Sequence, residues 1–272
     1  MNDGKVLMAG TNMPISTTSD LFDPATNAYA QAPTETGPIF GTGQITRLAS
    51  GKLLITGGLN VGEGMITSNT YLYDPATNAF TNGPPLPTPL YHHTATLLAD
   101  GRVILTGGAT GSGVATATYF YDPVAGTFTA GPPMSTARYW HAARRLQDGR
   151  VMLFGGNSGV GVLASTEIYD PATNSFTPSA SMAHAGSGSA IEVLADGRIL
   201  VAGGYTSTAV ATAQIFDPQT GQFTSTGSLN APATAGPPFC CRTAGCSWPV
   251  VLMVTKTPQA PSSMTPRPAS SR

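Results

Sequence analysis

Two short landmarks recur along this 272-residue chain at one fixed interval. A Gly followed by Lys or Arg stands at Gly4, Gly51, Gly101, Gly149 and Gly197, and an Asp-Pro pair begins at Asp23, Asp74, Asp122, Asp170 and Asp217. Successive spacings are 47, 50, 48 and 48 in the first series and 51, 48, 48 and 47 in the second. Two unrelated landmarks that keep one period over five units mark an internal repeat, and a repeat of this length confines the chain to a solenoid or a propeller.

Each unit reads as four short strands. Residues 93–98 or 141–146 make a first strand, and a second, as in Arg102-Val103-Ile104-Leu105-Thr106, runs from an Asp-Gly turn to a Gly-Gly doublet. The third ends in aromatics, as in Tyr119-Phe120-Tyr121, and the fourth is brief, as in Thr127-Phe128-Thr129. β-Branched and aromatic runs bounded by turn residues are strands, and no stretch keeps a helical period. Asp100-Gly101 and its equivalents supply the positive φ of a tight hairpin. In Asp74-Pro75-Ala76-Thr77-Asn78 the Asp can bond its own backbone, Pro presets the turn and Asn tolerates the left-handed region. The doublets Gly57-Gly58, Gly107-Gly108, Gly155-Gly156 and Gly203-Gly204 suit close approach of neighbouring backbones. Tyr29, Phe80, Phe128, Phe176 and Phe223 recur at one position, as core aromatics between stacked sheets would.

The Gly-Gly end of the second strand, the Tyr-Asp-Pro turn, the aromatic of the fourth strand and the Arg138-Tyr139-Trp140-His141 segment together resemble the kelch motif. The resemblance spans residues 3 to about 230, with Phe or Tyr where kelch units often carry Trp. It implies an all-β, kelch-type β-propeller of about five four-stranded blades. Radial stacking is also the physical answer for sheets that cannot bury both faces alone. The expected units are 3–49, 50–99, 100–147, 148–195 and 196–230. Residues 4–30 lack a first strand of their own, so the expectation is four blades and three-quarters of a fifth in an incomplete ring. Met1 reads as internal to such a unit, which points to truncation at that end.

Residues 231–272 lose both landmarks and hold all three cysteines, Cys240, Cys241 and Cys246. Codons chosen for residues 242–253 and 262–272 can yield, in a shifted frame, the two missing motifs in order. The tail is therefore expected to be irregular, a frame-shifted sixth repeat with little reason to pack.

Net charge is −1, with no basic block, which argues against nucleic acid as a partner. No apolar run is long enough for a membrane span, and the first residues lack the charged and apolar regions of a signal peptide. The repeats contain no cysteine and give no sign of compartment; a longer parent could be secreted. The expectation is a monomer.

Function in such arrays sits on variable loops over a rigid scaffold. The Asp-Gly and Asp-Pro turns share one face and hardly vary, whereas residues 60–68, 109–115 and 157–162, on the other face, do. The richest segments there are Tyr91-His92-His93 and Arg138-Tyr139-Trp140-His141, so Tyr91, His92, Arg138 and Trp140 are the expected ligand contacts. His93 and His141 occupy equivalent positions and read as buried hydrogen-bonding residues, and His184 stands alone. Glu63, Glu167 and Glu192 are scattered, the repeated Asp residues are turn formers, and no acid–base pair, serine elbow or metal-ligand spacing emerges, so no catalytic residue, metal or cofactor is expected. Copper-radical oxidases, which share the kelch-type propeller, need a thioether cysteine that the repeats lack. These observations favour a non-catalytic binding or scaffold module for a protein or carbohydrate ligand. The alternative is a fragment of a kelch-type carbohydrate-active enzyme, an oxidase or sugar epimerase, with its catalytic residues missing.

Overall fold

A computed structural model describes residues 6–8, 20–31, 40–60 and 64–234. Among them there is no helix; the repeat folds as successive antiparallel meanders. Blade I has three strands, Val6–Met8, Asp20–Asp23 and Ala28–Gln31. Blade II has four, Gln44–Arg47, Leu53–Thr56, Thr70–Asp74 and Ala79–Asn82. Blade III follows with Thr94–Leu97, Val103–Thr106, Thr118–Asp122 and Thr127–Ala130. Blade IV comprises Ala142–Arg145, Val151–Phe154, Thr166–Asp170 and Ser175–Ser179. Blade V comprises Ala190–Val193, Ile199–Ala202, Ala213–Asp217 and Gln222–Ser225. Among the described residues there are therefore four blades and three strands of a fifth, and these do not close a ring.

The turns behave as their chemistry requires. Asp74 Oδ1 accepts the Ala76 N–H at 2.9 Å, and Asp122, Asp170 and Asp217 do the same two residues on. Asn78 closes its turn at φ 51° while the Tyr73 hydroxyl donates to its Oδ1 at 2.7 Å; Asn174 and Tyr169 repeat the arrangement at φ 48° and 3.0 Å.

The core lies between blades. Leu48, Leu54 and Leu86 from blade II and its exit pack against Val103, Leu105 and Tyr121 of blade III. The equivalent Leu98, Ile104 and Met134 meet Val151, Leu153 and Tyr169 of blade IV, and Leu146, Met152 and Met182 meet Ile199, Val201 and Phe216 of blade V. The fourth-strand aromatics sit at the margin of these layers. Phe80, Phe128, Phe176 and Phe223 are half-buried, and Tyr29 is exposed. Each stacks on a third-strand ring of its own blade, with centroids 4.8–5.2 Å apart. The outer strand has solvent on one side, so its ring covers the buried Tyr73, Tyr121, Tyr169 or Phe216 without itself being enclosed.

Backbone contacts also join the blades. The N–H of the second glycine in each doublet donates to the entry segment of the next blade: Gly58 to Leu90 O at 2.8 Å, Gly108 to Arg138 O at 2.9 Å, Gly156 to Gly186 O at 2.9 Å and Gly204 to Ala233 O at 2.7 Å. The repeat path thus continues through Ala233, three residues beyond the last expected unit. The cysteines, Glu63 and residues 235–272 lie outside the described residues.

Candidate functional site

The segment entering each blade pairs first with the loop that follows the Gly-Gly doublet. Phe40–Gly41 pairs with Leu59–Asn60, which pairs with Met65–Ile66. Tyr91 bridges Ala109, Tyr139 bridges Asn157, and Ser187 bridges Tyr205. The variable loops therefore begin alike, in a short collar of antiparallel pairs on one face. Their sequences differ because main-chain groups carry the pairing.

One residue later every entry segment turns sharply. Thr42, His92, Trp140 and Gly188 take φ of 71°, 53°, 58° and 59°. Three of the four are not glycine, and a side chain in this region costs of order 1–3 kcal/mol. A chain of main-chain bonds holds them there: His92 N–H to Thr42 O at 3.1 Å, Trp140 N–H to His92 O at 2.9 Å and Gly188 N–H to Trp140 O at 2.9 Å. The left-handed residue separates the collar strand from the inner strand.

The consequence is a patch of four rings. The His92 ring centroid lies 5.0 Å from that of Tyr91, 6.2 Å from Tyr139 and 5.0 Å from Trp140, all in tilted geometry. All four side chains are half-buried, which leaves part of each ring to solvent. Burial lowers the His92 pKa to about 4, so the imidazole is neutral at pH 7. Burial, and then the neighbouring Tyr91, raise that of Tyr139. The patch is uncharged. A cleft of about 320 Å³ is lined by Thr88, Thr110, Ser112, Val114, Tyr119 and Leu90, the residue before Tyr91.

The structure thus brings Tyr91, His92 and Trp140 together and adds Tyr139. Arg138 is set apart from them, wholly buried beneath the surface. Its guanidinium donates to Gly155 O at 2.6 Å and Ser165 O at 3.1 Å, and pairs with Glu167 at 2.8 Å. Glu167 also accepts the N–H groups of Ser135 and Thr136 at 2.7 and 3.1 Å. Burial pushes its carboxyl up, but the Arg138 and Ser135 donors outweigh that and hold it below the ordinary carboxylate range. Gln214, 47 residues on, accepts the Ala183 N–H at 2.9 Å in the same way. Arg138 and Glu167 therefore clip the blade-entry segment that carries Tyr139 and Trp140.

His93 and His141 are buried between blades. His93 Nε2 lies 2.8 Å from Thr56 Oγ1, and His141 Nε2 lies 3.1 and 2.9 Å from Thr94 and Thr106 Oγ1. Burial, and next the neighbouring His92, lower the His93 pKa to about 3; burial and then Arg138 lower that of His141. Among the described residues no three His, Cys, Asp or Glu side chains converge as metal ligands, and no helix is long and apolar enough to cross a membrane.

Comparison with known proteins matches this architecture. The kelch-motif model matches residues 146–183 and 193–230, which lie in blades IV and V. Residues 146–183 and 193–230 thus carry kelch motifs. The fold of the chain resembles the solved structure of YjhT, with a TM-score of 0.72 and 14% identity over 87% of this chain and 84% of that one. In all, 388 solved chains resemble it, so the likeness speaks to architecture and not to a ligand. No curated protein matches the sequence. The kelch repeat makes this a binding or scaffold architecture in general terms.

Proposed function

We propose that the chain is a non-catalytic binding module whose collar face takes a protein or carbohydrate ligand on Tyr91, His92, Tyr139 and Trp140. The observation that carries this reading is the ring patch itself, in which two left-handed residues turn aromatic side chains together. Neutral rings with part of each face open suit a ligand that offers an apolar or ring surface, and Trp and Tyr are the residues that most often dominate such contacts. Arg138, expected as a ligand contact, supports the reading indirectly by fixing the segment that bears Trp140. The enzyme reading draws less support. The buried carboxylate Glu167 is consumed by Arg138 and two main-chain donors, and among the described residues no second carboxylate pairs with it.

The test is a glycan array and a displayed-peptide library probed with the intact chain, followed by Trp140→Ala and His92→Ala in the same format. Binding that falls at least about tenfold in both variants, with circular dichroism unchanged, is expected from loss of a central aromatic contact. Binding indifferent to both substitutions, or none in either library, overturns the reading.

A further inference from the structure

Three apolar positions in each unit exist to meet the following blade, and at the last described blade they have no following blade to meet. Leu54, Ile104 and Met152 are fully buried, whereas the equivalent Leu200 is only half-buried. Leu48, Leu98 and Leu146 are buried, whereas Leu194 is half-buried. Leu86, Met134 and Met182 are 3–4% exposed, whereas Leu229 is 37% exposed. In the earlier blades these positions pack on alternate residues of the next second strand, such as Val103 with Leu105 and Val151 with Leu153. The far side of blade V is thus a contiguous apolar face shaped for an extended apolar segment.

We propose that residues 250–254 of this same chain cover that face, which gives one short segment of the otherwise irregular tail a reason to pack. The sequence there is Val-Val-Leu-Met-Val, the one run of five apolar residues beyond Thr234. Extended, it presents alternate side chains to one side, as Val103 and Leu105 do. The chain is delivered to the right place, because Ala233 is held in the entry position of a following blade by Gly204 and by Val210 O at 3.1 Å. Its reach is sufficient: residue 250 stands 17 positions after Ala233, against 13 from Arg138 to Val151. A complete sixth blade is not required. Pro237 and Pro238 fall where an inner strand would start and cannot donate to a ladder. Tethering favours this segment over any free partner, since it competes at a high effective concentration.

The experiment is hydrogen exchange on the full chain, comparing the natural sequence with a variant in which Val250, Val251, Leu252, Met253 and Val254 are all replaced by Ser. Exchange in peptides containing Leu200 and Leu229 should speed up by about tenfold or more, while peptides containing Leu105 and Leu153 stay unchanged. In the reciprocal variant, Leu200→Asp, exchange over residues 250–254 should rise. Equal protection in the natural and substituted chains overturns the proposal. So does protection that persists in the substituted chain but falls on dilution, which would assign the face to a second copy.

Discussion

At the scale of single residues, the patch depends on backbone angles that its own side chains disfavour. Trp140 sits at φ 58° where the equivalent position in blade V is glycine. Replacing it by Gly or by Ala removes the same ring, but only Gly is at ease in the left-handed region. Trp140→Gly should therefore be more stable than Trp140→Ala by about 1 kcal/mol, measurable as a shift in urea midpoint. A second prediction concerns pH. His93 has its pKa lowered from 6.5 to about 3, so folding favours the neutral ring. Its contribution is full above pH 6.5 and is lost as pH falls towards 3, because the unfolded chain binds the proton first. Urea unfolding at about pH 7, 5 and 4 should show that decline, and His93→Gln should lessen its slope without abolishing it, because His92 and His141 are shifted in the same direction. Little of this was legible in the sequence. The positions of Tyr91, His92 and Trp140 could be singled out from loop composition. The left-handed turn that gathers them could not, because in three of four units it is occupied by residues that do not advertise it. Arg138 looked like a surface anchor because Arg often is one. Its burial follows from Glu167, whose place opposite it, 29 residues on, depends on the pairing of separate strands. The one available signal was the recurrence of Gln214 one period after Glu167.

At the scale of elements, each blade is specified by its turns and each interface by its glycines. Strand order, the Asp-Pro-Ala-Thr-Asn turns and the three described strands of blade I were all readable, because these depend on local chemistry repeated along the chain. The collar was not, since main-chain pairing leaves no composition to read. The Gly-Gly doublets give the clearest contrast for experiment. A methyl at Gly107 would collide with the Arg138 carbonyl oxygen of the next entry segment, at φ 59°. A methyl at Gly101, in the Asp-Gly hairpin at φ 89°, meets nothing within 4 Å. Gly107→Ala should accordingly cost about 3 kcal/mol or more, and Gly101→Ala only about 1 kcal/mol, in chemical denaturation.

At the scale of the whole molecule, stability is a sum over neighbours. Blades III and IV are flanked on both sides, whereas the described contacts of blade I are with blade II alone. In a one-dimensional array a lesion should spread only as far as its interfaces carry it. Leu105→Ala, at a wholly buried site between blades II and III, should cost about 2–5 kcal/mol and raise hydrogen exchange on both sides of that interface. Leu21→Ala, packed at the margin of the blade I layer, should raise exchange in blade I while leaving blade IV protected.

The acceptor of each inter-blade glycine bond is a main-chain carbonyl, contributed in turn by leucine, arginine, glycine and alanine. A unit copied or lost in the gene would keep this bond at its new junction, provided that its apolar side chains also fit the neighbour it meets. Loop sequences are free to drift afterwards without renegotiating the bond. The same indifference that leaves the collar invisible to sequence reading lets the entry residues differ from unit to unit while the junction stays one main-chain bond.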